Sequence, residues 1–110
     1  MSKRSTDLLK GTLDLLILKT LELEPRNGVA IADRIAQITR GTFIIKPGSL
    51  FPALHRLEAD GYIGGTWGET VEGRRAKVYT LSSAGRKHLG IQKRNWLKVS
   101  TAMGQVLEAE

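Results

Sequence analysis

The sequence predicts a mainly α-helical chain with one small β-hairpin. Three features predict it. Three segments of apolar helical periodicity lie before residue 61, two short β-prone segments joined by a turn-rich stretch follow, and a last amphipathic segment runs towards the C-terminus. At 110 residues, with 41% hydrophobic and 25% charged residues, the chain has the size and balance of one folding domain, not of a disordered segment. A domain this short buries a modest fraction of its surface, so an oligomer interface would add to its stability.

The first helix is expected from Leu8 to Leu23, where Leu8, Leu9, Leu13, Leu15, Leu16, Ile17, Leu18, Leu21 and Leu23 cover more than one face of the helical wheel. Such a helix needs two partners, its own core on one side and either a second chain or the C-terminal helix on the other. Ser5, Thr6 or Asp7 can cap its start, and Pro25 with Asn27-Gly28 ends it. A second helix is expected from about Val29 to Thr39, with Ile31, Ile35 and Ile38 on one face, Ala32 and Ala36 beside them, and Gly41 as C-cap. Thr42 to Ile45 is β-branched and aromatic, a short strand or an extended connection.

The third helix lies within Pro47 to Asp60. Pro52 is read as a marker of its beginning, with Gly48 or Ser49 as N-cap. Leu50, Leu54 and Leu57 then face the core, Ser49, Pro52, His55, Arg56 and Ala59 face away, and Gly61 supplies a left-handed stop. Tyr62 to Trp67 and Ala76 to Leu81 read as the two strands of a hairpin whose connection, Gly68 to Arg75, ends in adjacent arginines. Ser82 or Ser83 caps a last helix reaching about Leu107, where Leu89, Trp96 and Met103 recur at heptad spacing, as do Val99 and Val106.

Seventeen Lys and Arg against eleven Asp and Glu give a net charge of +6, which favours a polyanionic partner. Between Glu72 and Glu108 stand Arg74, Arg75, Lys77, Arg86, Lys87, Lys93, Arg94 and Lys98 and no acidic residue, so the positive field is concentrated in the C-terminal third. The chain has no cysteine, which excludes disulfides, thiol catalysis and a zinc ribbon. Two histidines, His55 and His88, are too isolated for a metal site, and Asp33, Glu58 and Asp60 do not form a catalytic pair. No enzyme activity, metal or cofactor is expected. The longest apolar run, Leu15 to Leu18, is far short of the ~20 residues of a membrane span, and no signal peptide is read, so a soluble cytoplasmic protein is expected.

Three helices followed by a β-hairpin are the order of a winged helix, a helix-turn-helix variant whose third helix enters the major groove of DNA while the hairpin reaches the flanking backbone. The start of the third helix, with Lys46 and Ser49, suits a phosphate. His55 and Arg56 can reach base edges, and Arg74, Arg75 and Lys77 can neutralise phosphates or enter the minor groove. Arg56 has a second reading, pairing with Asp60 one turn on, and His55 a second as a solvated polar residue. Trp96 reads as a heptad residue holding a dimer, and alternatively as an aromatic shelf for a planar small molecule; Trp67 reads as packing.

Gly11-Thr12-Leu13-Asp14-Leu15-Leu16-Ile17-Leu18, Gly48-Ser49-Leu50-Phe51-Pro52-Ala53-Leu54-His55-Arg56-Leu57-Glu58, and Arg74-Arg75-Ala76-Lys77-Val78-Tyr79-Thr80-Leu81 followed by Gly85 closely resemble the PadR family of bacterial transcriptional regulators. The resemblance runs from about Leu8 to Leu107 and looks like the subtype with a short C-terminal part. It implies a homodimeric repressor on an operator of two related half-sites, with a C-terminal helix that crosses to the partner's first helix. Some members hold flat ligands between aromatic residues of the dimer helices, where Trp96 falls. One position departs from the family, which usually has tyrosine where this chain has Phe51, so a phosphate-bonding hydroxyl is absent there.

The expectation is therefore a winged-helix DNA-binding domain over residues 1–82, first helix included, and a dimerisation helix over residues 83–110. Lys46, Ser49, Phe51, Pro52, His55, Arg56, Arg74, Arg75 and Lys77 are expected at double-stranded DNA. Leu9, Leu13, Leu16, Leu89, Trp96, Val99, Met103 and Val106 are expected at the homodimer interface, with Trp96 as the candidate seat of a planar aromatic effector. Rival readings are a winged-helix adaptor that binds protein, and a non-specific nucleic-acid-binding protein.

Overall fold

The computed structural model describes the backbone of residues 2–69 and 71–110 and the side chains of residues 11–69 and 71–110. Helix α1 (Ser2–Leu23) is followed by strand β1 (Arg26–Asn27), helices α2 (Gly28–Ile38) and α3 (Pro47–Ala59), strands β2 (Ile63–Glu69) and β3 (Arg75–Leu81), and helix α4 (Ser83–Leu107). The strands form one antiparallel sheet in the order β1-β3-β2, with Ile63 opposite Leu81 and Glu69 opposite Arg75. This is the winged helix that the order of segments predicts.

The core is built where the periodicities place it. Leu13, Ile17, Leu18 and Leu21 of α1 meet Ile31 and Ile35 of α2, and Leu50, Ala53, Leu54 and Leu57 of α3, with Ile63, Tyr79 and Leu89 closing the sheet side. Six of these, Ile17, Leu18, Ile31, Ile35, Leu54 and Leu57, are fully buried. Each such side chain contributes ~1.5 to 3 kcal/mol by leaving water. Residues 43–46 form an irregular connection rather than a strand, and Ile45 is buried in the core.

The helix ends depart from expectation in instructive ways. Helix α1 already runs from Ser2, so Ser5, Thr6 and Asp7 fall inside it and none is its N-cap. Asn27 does more than end a helix: it pairs with Val78 in the sheet, and its side chain accepts the Ala30 N–H at 2.8 Å to cap α2. At the far end of α2 the left-handed turn begins one residue before the expected glycine, with Arg40 at φ 51 and Gly41 at φ 80. The Gly41 N–H reaches the Ala36 carbonyl at 2.9 Å and the Arg40 N–H reaches the Gln37 carbonyl at 3.2 Å, which closes the last turn. Helix α3 starts at Pro47 with Lys46 as N-cap, not at Gly48 or Ser49. Pro47 fits the first helical position, whose N–H has no partner in the helix anyway, whereas Pro52 lies inside the helix and leaves the Gly48 carbonyl without its usual donor. Gly61, at φ 79, is the left-handed stop that the sequence predicts.

Helix α4 is anchored at its root, and its later apolar residues are exposed. The Ser82 side chain accepts the Gly85 N–H at 3.0 Å and donates to the carbonyls of Gly61 at 2.7 Å and Tyr62 at 3.0 Å, tying the start of α4 to the end of α3. The His88 ring stacks flat on Tyr62, centroids 4.0 Å apart, and Leu89 enters the core. The same stripe then continues through Trp96, Val99, Met103 and Val106, all exposed, with nothing covering it among the described residues. Leu89 and Leu13, both expected at a dimer seam, are 4% exposed and belong to the core of their own chain. Leu16 is half-buried against that core, and Leu9 lies outside the residues whose side chains are described.

Candidate nucleic-acid interface

Helix α3 buries one face and turns the opposite one outward. With Leu50, Ala53, Leu54 and Leu57 inside, the outward stripe is Gly48, Pro52, His55 and Ala59, spaced four, three and four residues apart so that they line one side of the helix. Pro52, His55 and Ala59 were expected there. Gly48 completes the row, and the small size of Gly48 and Ala59 lets another surface approach the backbone.

Each flank of α3 carries an ion pair, of opposite polarity. On one side the Arg56 guanidinium bonds Asp14 of α1, and not Asp60 one turn further along. On the other, Glu58 accepts from the Lys77 ammonium of β3 at 2.8 Å. The Lys77 stem lies across Gly65, where a Cβ would come within 2.2 Å of it, and its ammonium lies 5.6 Å from the Tyr79 ring centre. The hydrogen bond that the Lys77 ammonium donates to Glu58 raises its pKa above the usual lysine value. Lys77 thus braces the wing against α3, its ammonium turned to Glu58. Arg56 is likewise engaged rather than waiting free.

The hairpin presents its remaining cations differently. Arg74 and Arg75 stand exposed where the turn enters β3, and the Arg75 guanidinium sits 4.7 Å over the Trp67 ring. Trp67 is 58% exposed, so it is a shelf for Arg75 and not the packing residue that the sequence suggested. The pairing register explains the contact: Trp67 is opposite Lys77 and Glu69 opposite Arg75, which makes Trp67 and Arg75 diagonal neighbours on one sheet face. If Arg75 meets a phosphate, this shelf holds it ready. Trp67→Ala is then expected to weaken binding to every DNA duplex alike by about two- to fivefold, the worth of an exposed cation–π contact. Fluorescence anisotropy on unrelated duplexes checks this; a loss confined to one sequence would count against it.

Between α3 and the wing runs a groove of about 1090 Å³, bordered by Val29 and Asp33 of α2, Phe51 and His55 of α3, and Trp67 and Arg75 of the hairpin. Phe51 is 41% exposed and rests its ring edge on Gly28, where a Cβ would come within 3.0 Å of Cε1. Its role is to seat α3 on the start of α2, with no polar group to offer a phosphate. Lys46 is exposed at the N-cap of α3, and Ser49 is half-buried one turn in, so these two stay together at the helix start as expected.

Residues 17–91 match the family model described as the transcriptional regulator PadR-like family. The fold is similar to that of a transcriptional regulator from Clostridium thermocellum, with a TM-score of 0.83 and 27% identity over 90% of this chain and 96% of that one. A PadR-like transcriptional regulator from Bacillus cereus gives a TM-score of 0.80 and 28% identity over 94% of this chain and 99% of that one. A transcriptional regulator of Mycobacterium tuberculosis is 42% identical over 53 residues, which are 48% of this chain and 49% of that protein. No helix among the described residues is long and apolar enough to cross a membrane.

Proposed function

The chain belongs to the PadR-like family of transcriptional regulators, and from that premise we propose that it is a repressor that binds a two-half-site operator as a homodimer. The observation that carries the DNA-reading part is the outward row Gly48, Pro52, His55 and Ala59 on α3, uncovered by its own chain and standing beside the exposed Arg74 and Arg75. In this reading α3 lies in the major groove with His55 at base edges, Lys46 and Ser49 take a phosphate at the helix start, and Arg74 and Arg75 hold the backbone beside it.

The dimer part is supported by α4. Trp96, Val99, Met103 and Val106 are 48 to 74% exposed and form one apolar stripe, which a second copy of the chain would cover. Residues 83–110 then act as the dimerisation helix. Two α3 helices in such a dimer enter successive major grooves, about 34 Å apart on one face of the duplex. A planar aromatic effector would stack on Trp96 within the dimer groove and release the operator by changing the spacing of the two heads.

Selection of bound sites from random duplex DNA tests the proposal. The expected outcome is a palindrome whose half-site centres are about one helical turn apart, bound with an affinity that falls steeply with salt. His55→Ala should relax selection at one or two base pairs, whereas Arg75→Ala should weaken all sequences alike. Binding without a preferred site would indicate a non-specific nucleic-acid-binding protein, and a protein partner without DNA affinity would indicate an adaptor.

A further inference from the structure

We propose that Asp14 restrains DNA binding, as an internal acceptor that competes with DNA for the Arg56 guanidinium. The inference rests on the DNA-binding reading above. Arg56 projects from the flank of α3, next to the outward row, and is the cation on that helix placed to join base or phosphate contacts. In the free protein its guanidinium is bound to Asp14, a residue of α1 that is 42 positions earlier in the chain. The Arg56 side chain is 41% exposed and that of Asp14 is 23% exposed. The guanidinium is therefore within reach of an incoming duplex, while the carboxylate sits further back.

The consequence follows from charge. Any DNA contact that takes Arg56 away from Asp14 leaves a carboxylate facing a polyanion, so the exchange costs free energy on every sequence. A lone phosphate replaces one anionic acceptor by another and offsets little of that cost. A guanine offers O6 and N7 to the same guanidinium in a bidentate pair, at a site where the remaining contacts also fit. Asp14 thereby keeps Arg56 back from random DNA, and at the preferred site the guanine pair is made at the cost of releasing the carboxylate. It acts through Arg56 and touches no DNA, which makes it a positioning residue.

The test compares wild type, D14N, R56A and D14N/R56A on the selected site and on a random duplex, across a salt series. D14N keeps the shape and one acceptor of the side chain but removes the competing charge. It is expected to raise affinity for the preferred site by about two- to fivefold, the usual worth of a partly exposed ion pair, and affinity for the random duplex by a smaller factor. With Arg56 freed to neutralise one more phosphate, the salt slope on random DNA should steepen by about one. Adding R56A should abolish both changes. If D14N leaves both affinities unchanged or lowers both, or if the gain persists in D14N/R56A, the proposal is overturned. Should D14N lower the thermal midpoint, Asp14→Ser makes the same comparison. A wild-type protein with no preferred site would sink the regulator reading instead, and the random-duplex affinities and salt slopes would still decide whether Asp14 restrains Arg56.

Discussion

Val99→Asp is expected to turn the protein into a monomer and to lower its affinity for the preferred DNA site by about 10²- to 10⁴-fold. Val99 stands in the middle of the exposed apolar stripe of α4, 56% exposed, with Met103 one turn further on at 58%. A carboxylate there meets water in the isolated chain, so the fold itself loses little. In the proposed dimer the same carboxylate would lie in an apolar seam without a partner, a cost of several kcal/mol that the association cannot absorb. Two linked heads gain 10²- to 10⁴-fold over one when the second contact becomes intramolecular, and that factor is what the monomer gives up. Sedimentation velocity reads the mass, and titration of the selected site reads the affinity. The wild-type melting temperature should also rise with protein concentration, and that of the variant should not. A variant that stays dimeric, or a monomer with undiminished affinity, would refute the assembly proposed for α4.

Gly85→Ala is expected to destabilise the chain by ~3 kcal/mol or more, the upper range of overpacking effects. A Cβ at this position would lie 2.0 Å from the Tyr62 carbonyl oxygen and 2.7 Å from Leu81 Cδ1. The carbonyl cannot step aside, because it accepts the Ser82 N–H at 3.1 Å and the Ser82 hydroxyl at 3.0 Å. Relief requires α4 to lift away, and Leu89 and the His88 stack on Tyr62 leave with it. Gly90→Ala provides the contrast, since its Cβ meets only the tip of Arg94 at 3.6 Å. That change should stabilise the helix by about 0.5 to 1 kcal/mol. Thermal and urea unfolding of the two variants distinguish a close backbone approach from a general sensitivity of α4; equal behaviour would contradict the first account.

The elements legible from sequence are those written in short-range pattern. The Ile31 and Ile35 face of α2, the Leu50, Leu54 and Leu57 face of α3, the stop at Gly61 and the cap at Ser82 each depend on residues a few positions apart. Strand β1 has only two residues, too few to show alternation, and it exists because β3 passes beside it. The start of α3 was misjudged because two prolines compete to mark it, and only the backbone shows that Pro47 stands first while Pro52 is tolerated inside. At the site, Pro52 and His55 were legible as an outward face. The partners of Arg56 and Lys77 were not, because Asp14 and Glu58 reach them from other elements, 42 and 19 positions away. Trp67 was misread for a related reason: its contact with Arg75 depends on strand register, which the turn-rich connection does not fix.

The bolted start of α4 has a mechanical meaning. From Leu89 to Leu107 the helix projects as a cantilever of ~27 Å, at about 1.5 Å per residue, from a root clamped by Ser82, Gly85 and Leu89. A tilt of about 5° at the clamp moves its tip by roughly 2 Å at that length. Because Gly61 and Tyr62, which the clamp grips, come just after the Asp60 cap of α3, a push on the far end of the beam would, in the proposed DNA-binding mode, change the pitch of α3.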